Sequence, residues 1–250
     1  NRNIPSMDDQ AETQGLKDAM YQDLRKAEVE VMLSEIAVVK SHALHARREL
    51  SRWMRPHKVT TPITLIGTTS YIHYEAKGVS LIISPWNYPF NLTFSPLVYA
   101  LAAGNTAIIK PSELTPHTSA FMAKAIKALF PEEEVALIEG DASVSTALLE
   151  LPFDHIFFTG SPQIGKIVMA AAAKHLASVT LELGGKSPAI IDASAAIDKL
   201  AYHLAWGKCL NNGQTCIAPD YVLVEASKRD EFVEAFRKGI ERLYPNSAKL

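Results

Sequence analysis

The chain changes its hydrophobic rhythm several times. From Leu16 to Trp53 it is rich in helix formers, with Val31, Glu35, Val38 and His42, or Leu33, Ile36 and Lys40, recurring around a helical face. That spacing predicts about two amphipathic helices. Pro56 ends them, since proline cannot donate to a continuing helix. Val59 to Ala76 then carries Thr, Ile, Tyr and Val in a strand-like run with Gly67-Thr68 as its turn, which predicts a β-hairpin arm over about residues 57–77. Its alternation is two-sided and only partly apolar, so the arm is expected to project and to pair with something outside the main sheet.

Beyond Gly78 come short apolar runs, each followed by a helical stretch: Val79 to Ile83, Thr106 to Ile109, Val135 to Ile138, His155 to Phe158 and Ser178 to Leu183. Thr115-Pro116 reads as a cap and first turn, Asp141 as the next cap, and Ser161-Pro162 as the opening of a helix ending near His175. Alternating β and α units predict an α/β fold: a Rossmann-like open parallel sheet with helices on both faces, over residues 1–182. Ligands of such sheets sit beyond the carboxyl ends of the strands. Trp86-Asn87, Lys110-Pro111, Thr159-Gly160 and Gly184-Gly185 all fall there, so four unusual loops are expected to converge on one crevice. Pro188 to Ile191 and Tyr221 to Val224 read as further strands, with helices at Asp198 to Cys209 and Lys228 to Leu243. These predict the beginning of a second α/β domain, residues 183–250, expected to be truncated because no sheet is completed before the chain reaches Pro245 to Leu250.

Composition narrows the function. With 250 residues, 48% of them hydrophobic and 21% charged, the chain is an ordinary globular protein. A net charge of −2 leaves no basic excess for phosphates, which argues against nucleic acid and anionic membranes and for a small-molecule partner. Two cysteines, Cys209 and Cys216, are too few for a disulfide framework and fit a reducing, cytoplasmic setting. No apolar run reaches the roughly eighteen residues of a membrane helix. The chain opens on Asn1 with no secretory pattern, and a missing start is expected. Asn91-Leu92-Thr93 matches a glycosylation acceptor and is read as accidental.

Cys216 carries the sharpest chemical signal. A lone cysteine is usually a small buried hydrophobe. In Asn211-Asn212-Gly213-Gln214-Thr215-Cys216, however, the thiol stands on a polar, flexible turn after a helix. Exposed backbone N–H groups there favour the thiolate and can stabilise an oxyanion. Cys209, on the helix, is read as packing. Glu182 ends an apolar strand directly before Gly184-Gly185; it is either a solvated strand end or, if apolar neighbours desolvate it, a general base for water. In Ser84-Pro85-Trp86-Asn87-Tyr88-Pro89-Phe90 two prolines fix a loop around Asn87, whose NH2 either satisfies the turn or donates to an oxyanion at Cys216.

Gly160 to Lys166 imitates a nucleotide-triphosphate loop, but Ile167 stands where magnesium needs Ser or Thr. The same strand-to-helix turn can hold a dinucleotide through the N–H groups and dipole of the helix. The G-x-G-x-x-G fingerprint is absent, so this signal by itself is weak. Lys110 and Glu113 after their strand suit ribose hydroxyls, and Glu113 would repel a 2′-phosphate, favouring NAD slightly over NADP. His42 and His45 lack a third ligand, and no metal site is expected.

Taken together, Pro85 to Phe90, Lys110-Pro111-Ser112-Glu113, Phe158 to Ser161, Glu182 to Lys186 and Gly213 to Cys216 resemble the aldehyde dehydrogenase superfamily. Asn91 to Thr93, Ile167 to His175 and Ala218 to Tyr221 are similar to its class 3 branch, which includes fatty, aromatic and coniferyl aldehyde dehydrogenases. The resemblance implies that Cys216 attacks an aldehyde and that Asn87 and the Cys216 N–H hold the oxyanion. It implies further that hydride leaves for NAD or NADP and that Glu182 activates the water that hydrolyses the thioester. Lys110 and Glu113 would hold the adenosine ribose. Ile83, Ser84, Pro85 and Trp86 would line the cofactor, with Ser161 near the pyrophosphate. Ser112, Gly160, Gly165, Leu183 and Gly184 complete the expected cofactor positions. A homodimer reached by the arm is implied as well.

The family's later Glu-x-Phe-Gly-Pro motif has no counterpart. The chain is therefore expected to be the first part of a longer enzyme, inactive or poorly soluble alone. The competing reading is a non-catalytic dinucleotide-binding fragment or relative.

Overall fold

The computed structural model describes residues 10–245. The extreme start, read above for a leader, and the Asn246–Leu250 tail lie outside them. The chain divides into two compact units, Asn1–Glu182 and Leu183–Leu250, each with its own core.

In the first unit, α1 (Gln10–Leu24) is followed, after a break at residues 25–27, by α2 (Glu28–Val31), a π turn (Met32–Ile36) and α3 (Ala37–Trp53), with helical backbone on both sides of the π turn. The π turn corrects the sequence reading. Its wider winding shifts the inward stripe, so Val31, Glu35, Ile36, Val39 and Ala46 are buried, Val38 is only half-buried and Leu33 is exposed.

The arm is shorter in strand than its composition suggests. β1 (His57–Val59) pairs antiparallel with β2 (Ser70–Ile72), His57 opposite Ile72. Pro62 and a 3-10 turn at Ile63–Leu65 interrupt the run. A turn from Leu65 to Thr68 follows, with Ile66 at φ −54°, ψ 136° and Gly67 at φ +93°. This is type II geometry, and it needs glycine at its third position.

The main sheet has β3 (Val79–Ile83), β4 (Thr106–Lys110), β5 (Val135–Leu137), β6 (His155–Gly160) and β7 (Ser178–Leu183) in the order β5-β4-β3-β6-β7. β3 pairs in parallel with both β4 and β6, and β4 with β5. The expected parallel α/β architecture is present. The chain starts in the middle at β3, builds outward through β4 and β5, then crosses to β6. The strand order therefore reverses between β3 and β6, where doubly wound sheets open a crevice.

Four helices connect or follow these strands: α4 (Asn91–Ala102), α5 (Pro116–Leu129), α6 (Ala142–Leu149) and α7 (Pro162–Lys174). Leu16, Met20, Val31 and Val39 from the N-terminal helices meet Ile82, Ile109, Phe94, Leu97, Met122 and Ile126 in one core.

Two caps are as expected: Asp141 accepts from the Ser143 N–H at 2.8 Å, and Ser161 from the Ile164 N–H at 3.3 Å. Thr115 is not. It occupies the cap position of α5, but among the described residues its buried hydroxyl has no partner. The cap comes instead from Asp23 at the end of α1, which accepts from the N–H of His117 at 3.1 Å and from the N–H and hydroxyl of Thr118, each at 2.7 Å. A carboxylate outcompetes a hydroxyl for these donors at a positive helix end.

In the second unit β8 (Ser187–Ile191) pairs in parallel with β9 (Pro219–Val224), with α8 (Ile197–Cys209) and α9 (Arg229–Leu243). Ile191, Ile197, Ala201, Phe232 and Ala235 form its core. Among the described residues no helix is long and apolar enough to cross a membrane, and no three His, Cys, Asp or Glu side chains are grouped to hold a metal ion.

Candidate active site

Three of the predicted loops leave the carboxyl ends of β3, β4 and β6. Ile83 and Ser84 are buried, while Pro85, Trp86 and Asn87 are half-buried. Tyr88, Pro89 and Phe90 turn back into the core. The Ser84 N–H donates to the Lys110 carbonyl at 3.1 Å, extending the β3–β4 ladder by one rung. The buried Thr93 hydroxyl lies 2.6 Å from both the Ser84 hydroxyl and the Pro89 carbonyl oxygen. The Trp86-Asn87 segment thus hangs between two anchored ends.

Beside it, Lys110 is 1% exposed. Its ammonium donates to the Pro111 carbonyl at 2.8 Å and to Glu113 Oε2 at 3.1 Å. A desolvated cation needs such acceptors. The backbone N–H of Glu113 itself, and then Lys110, hold the Glu113 carboxyl below its ordinary value. The carboxyl of Asp141 is held low as well, by the hydroxyl and N–H of Ser143 first and more weakly by Lys110. Ser112 is buried; its hydroxyl accepts from the Leu114 N–H at 3.2 Å and its carbonyl from the Ser119 hydroxyl at 3.0 Å. An ammonium beside a carboxylate at a strand end can donate to one hydroxyl of a vicinal diol while the carboxylate accepts from the other.

At the end of β6, a Cβ on Gly160 would lie 2.5 Å from Phe158 Cζ, so no larger residue fits without moving a buried ring. Ser161 caps α7 and Gly165 is buried in its first turns. The 13-residue helix directs its N-terminal N–H groups beyond the sheet edge. Ile167 is 57% exposed on this helix.

Glu182 departs from expectation: it is exposed near the end of β7. Side chains alternate along a strand, so Leu181 and Leu183 point to the opposite face and do not cover it. The desolvation read from its apolar neighbours is not provided by them.

In the second unit Leu183 is half-buried and Gly184 exposed. A Cβ on Gly185 would lie 3.1 Å from the Cys216 carbonyl oxygen, so this glycine turn abuts the cysteine turn. Asn211, Asn212 and Gly213 adopt φ of 50°, 56° and 76°. Asn and Gly are the residues that best tolerate the left-handed region, which explains their clustering here. The Gln214 N–H then donates to the Asn211 carbonyl at 3.0 Å, and the Ala218 N–H to the Thr215 carbonyl at 3.1 Å. Cys216 sits at the second position of that last turn, exposed and without a disulfide, whereas Cys209 is half-buried where α8 ends.

Sequence reasoning missed the supports. Asp23 and Glu35 act through contacts 94–95 and 56 residues away in the chain, while Thr93 works locally, against Ser84 and Pro89. One signal was legible: Glu35 follows Val31 by one helical turn on the inward face, an unusual place for a carboxylate.

An open doubly wound sheet with anchored loops at its switch point, and a separate unit presenting a thiol on a left-handed turn, define a two-part α/β protein. The chain belongs to the aldehyde dehydrogenase family, whose sequence model matches residues 15–248. It is 46% identical over 227 residues to the 4,4′-diaponeurosporen-aldehyde dehydrogenase of Staphylococcus aureus, covering 91% of this chain and 50% of that protein. It is 43% identical to bovine aldehyde dehydrogenase family 3 member B1, covering 92% and 49%. It is also 43% identical to the mouse aldehyde dehydrogenase called dimeric and NADP-preferring, covering 94% and 52%. A structure titled as the substrate-bound state of a Staphylococcus aureus AldH superposes with a TM-score of 0.89 at 43% identity, over 94% of this chain and 54% of that one. The chain spans about half the length of the curated relatives it matches, and the class 3 affinity agrees with the bovine family 3 name.

Proposed function

We propose that this chain carries the dinucleotide-binding part and the nucleophile of an enzyme that oxidises an aldehyde to a carboxylic acid with NAD or NADP as hydride acceptor. The observation that carries the reading is the exposed Cys216 thiol on the Thr215–Ala218 turn, after a left-handed run that only Asn and Gly accommodate well. The mouse relative's name supports NADP among the acceptors.

A dinucleotide fits the first unit on its own evidence. Gly160 leaves no Cβ before a helix N-terminus, and Lys110 with Glu113 makes a donor-acceptor pair at the adjoining strand end. Lys110, Ser112 and Glu113 would hold the adenosine ribose, Gly160, Ser161 and Gly165 the pyrophosphate, and Ile83 to Trp86 the flank, with Leu183 and Gly184 near the reactive end. When bound, the nicotinamide supplies the hydride acceptor.

The chain's own residues do the rest. Cys216 Sγ, as thiolate, adds to the aldehyde carbon. The Asn87 amide and the Cys216 N–H donate to the oxygen as it gains charge, which lowers the barrier most if both are in place beforehand. After oxidation the carbon is a thioester. Glu182 takes a proton from water, the water oxygen adds to the thioester carbon, and the thiolate leaves with the carboxylic acid released. An exposed Glu182 suits a base that must meet solvent water.

The test is made on the full-length enzyme with NADH absorbance. Cys216→Ala is expected to abolish aldehyde-dependent NADH formation while leaving dinucleotide affinity unchanged, and Glu182→Gln to give a first-turnover burst followed by a stall. Near-normal turnover by Cys216→Ala would end the proposal. We propose further that the enzyme is a cytoplasmic homodimer. Exposed Ile63 and Ile66 on the arm, 86% and 87% exposed, support a partner there, and two cysteines free of disulfides suit a reducing compartment. A monomer in sedimentation would refute the dimer.

A further inference from the structure

Beneath the Trp86-Asn87 loop lies an ion pair with almost no solvent contact. Lys26 Nζ and Glu35 Oε1 are 2.5 Å apart, with side chains 1% and 0% exposed. Neither partner belongs to the dinucleotide positions or to the reacting groups described above. Burying two charges is costly and often no better for stability than packed apolar residues, so the pair calls for a role beyond holding the fold.

Its contacts point to one segment. The second oxygen of Glu35 accepts the Asn91 N–H at 2.7 Å, in the first turn of α4. The Lys26 ammonium stands 4.1 Å above the Tyr88 ring. The Asn91 side-chain amide donates to the Ser34 carbonyl, next to Glu35 in the π turn, at 3.0 Å. Lys26 and the π turn thus grip Tyr88 and Asn91, the residues one and four places beyond Asn87. On the near side the Ser84 N–H is tied to the Lys110 carbonyl, and Thr93 stands against the Ser84 hydroxyl. Burial pushes the Glu35 carboxyl up, while Lys26 and the N–H groups of Asn91 and Phe90 act the other way. Other groups carry less. A cavity of about 530 Å3 beside the arm, lined by Trp53, His57, Tyr74 and Tyr99, has no feature that names a ligand.

We infer that Lys26 and Glu35 are positioning residues for the Asn87 donor. Glu35 caps the start of α4 through a tertiary contact and Lys26 holds the carboxylate and Tyr88 in register, which sets where the Asn87 amide stands before an oxyanion forms. This rests on the proposed role of Asn87. Glu35 lies within the π turn Met32–Ile36, one turn beyond buried Val31 on the same inward stripe, which directs its carboxylate into the interior.

The test compares two charge-free pairs in the full-length enzyme. Lys26→Met with Glu35→Gln keeps an acceptor for the Asn91 N–H; Lys26→Met with Glu35→Leu removes it. Neither leaves a buried charge unpaired. We expect both proteins to retain dinucleotide affinity and the aldehyde KM, with the leucine pair slower in single-turnover oxidation by about tenfold to a hundredfold. The gap should close when Asn87→Ala is added to both, because the donor being positioned is then gone. Equal rates for the two pairs, or a gap that persists undiminished with Asn87→Ala, would overturn the inference. If Asn87→Ala alone oxidises at the normal rate, the donor reading of Asn87 fails, and the inference with it. Should the leucine pair not fold, Glu35→Asp, which draws the carboxylate back by one methylene, replaces it in the comparison with wild type and with the same outcomes.

Discussion

Replacing Asp23 by Ala removes three hydrogen bonds from the start of α5, ninety-four and ninety-five residues away in the chain. Loss of a cap costs about 1–2 kcal/mol. Loss of a carboxylate beside a helix N-terminus adds about 0.5 kcal/mol. Some 2 kcal/mol of destabilisation is therefore expected, roughly, for the helix that places Met122 and Ile126 in the core. The companion change is Thr115→Val. The Thr115 hydroxyl is buried without a partner among the described residues, so an equal-sized methyl removes an unmet polar group and should be neutral or stabilising by about 1 kcal/mol. Were Thr115 the cap that its sequence suggests, the same change would cost about 1 kcal/mol. The two accounts differ in sign. Urea denaturation followed by tryptophan fluorescence measures the shift, and hydrogen exchange at the His117 and Thr118 amides localises it. Destabilisation by Thr115→Val with Asp23→Ala inside about 0.5 kcal/mol of wild type would refute the tertiary cap.

Two further outcomes are expected. Gly160→Ala puts a Cβ 2.5 Å from Phe158 Cζ, a ring 4% exposed, so it should weaken dinucleotide binding at least about tenfold in a calorimetric titration, and unchanged affinity would contradict the close packing. Burial first, and the Lys77 ammonium second, lower the pKa of His155, whose ring nitrogens lie 2.7 Å from the Ser178 hydroxyl and 3.2 Å from that of Thr180. The folded state then favours the neutral ring, so this contribution is present above the ordinary histidine value of about 6.5 and is lost as pH falls below it. His155→Gln should flatten the decline of melting temperature over that acid range, and an unchanged slope would exclude His155 as its source.

Much of the fold could be read from local pattern. The strands agree with the local pattern within about two residues: β3 and β4 are mostly buried apolar runs, the outer strand β7 alternates polar and apolar residues, and the turns between them need Gly, Pro or a cap. The arm was legible as a turn at Gly67 but overextended as strand, since Pro62 and a 3-10 turn break it. Most positions singled out for chemistry lie at strand ends or turns, as their residue types suggest, with Gly165 in the first turns of α7. Their surroundings were less legible: Glu182 is exposed, because period-two alternation sends its apolar neighbours to the other face.

The sequence by itself determined what is local: which segments are helix or strand, that the Asn211–Gly213 run can turn left-handed, and that Cys216 stands on a polar turn. Only the tertiary structure decided which partners those segments meet. Asp23 instead of Thr115 caps α5, and one π turn moves the buried stripe from Val38 to Val39. Glu35, on the inward face one turn after Val31, meets the Asn91 N–H fifty-six residues away in the chain. The physical reason is common to all three. Hydrogen-bond donors and buried charges are satisfied by whatever acceptor the packed chain brings within about 3 Å, and sequence spacing does not encode that proximity.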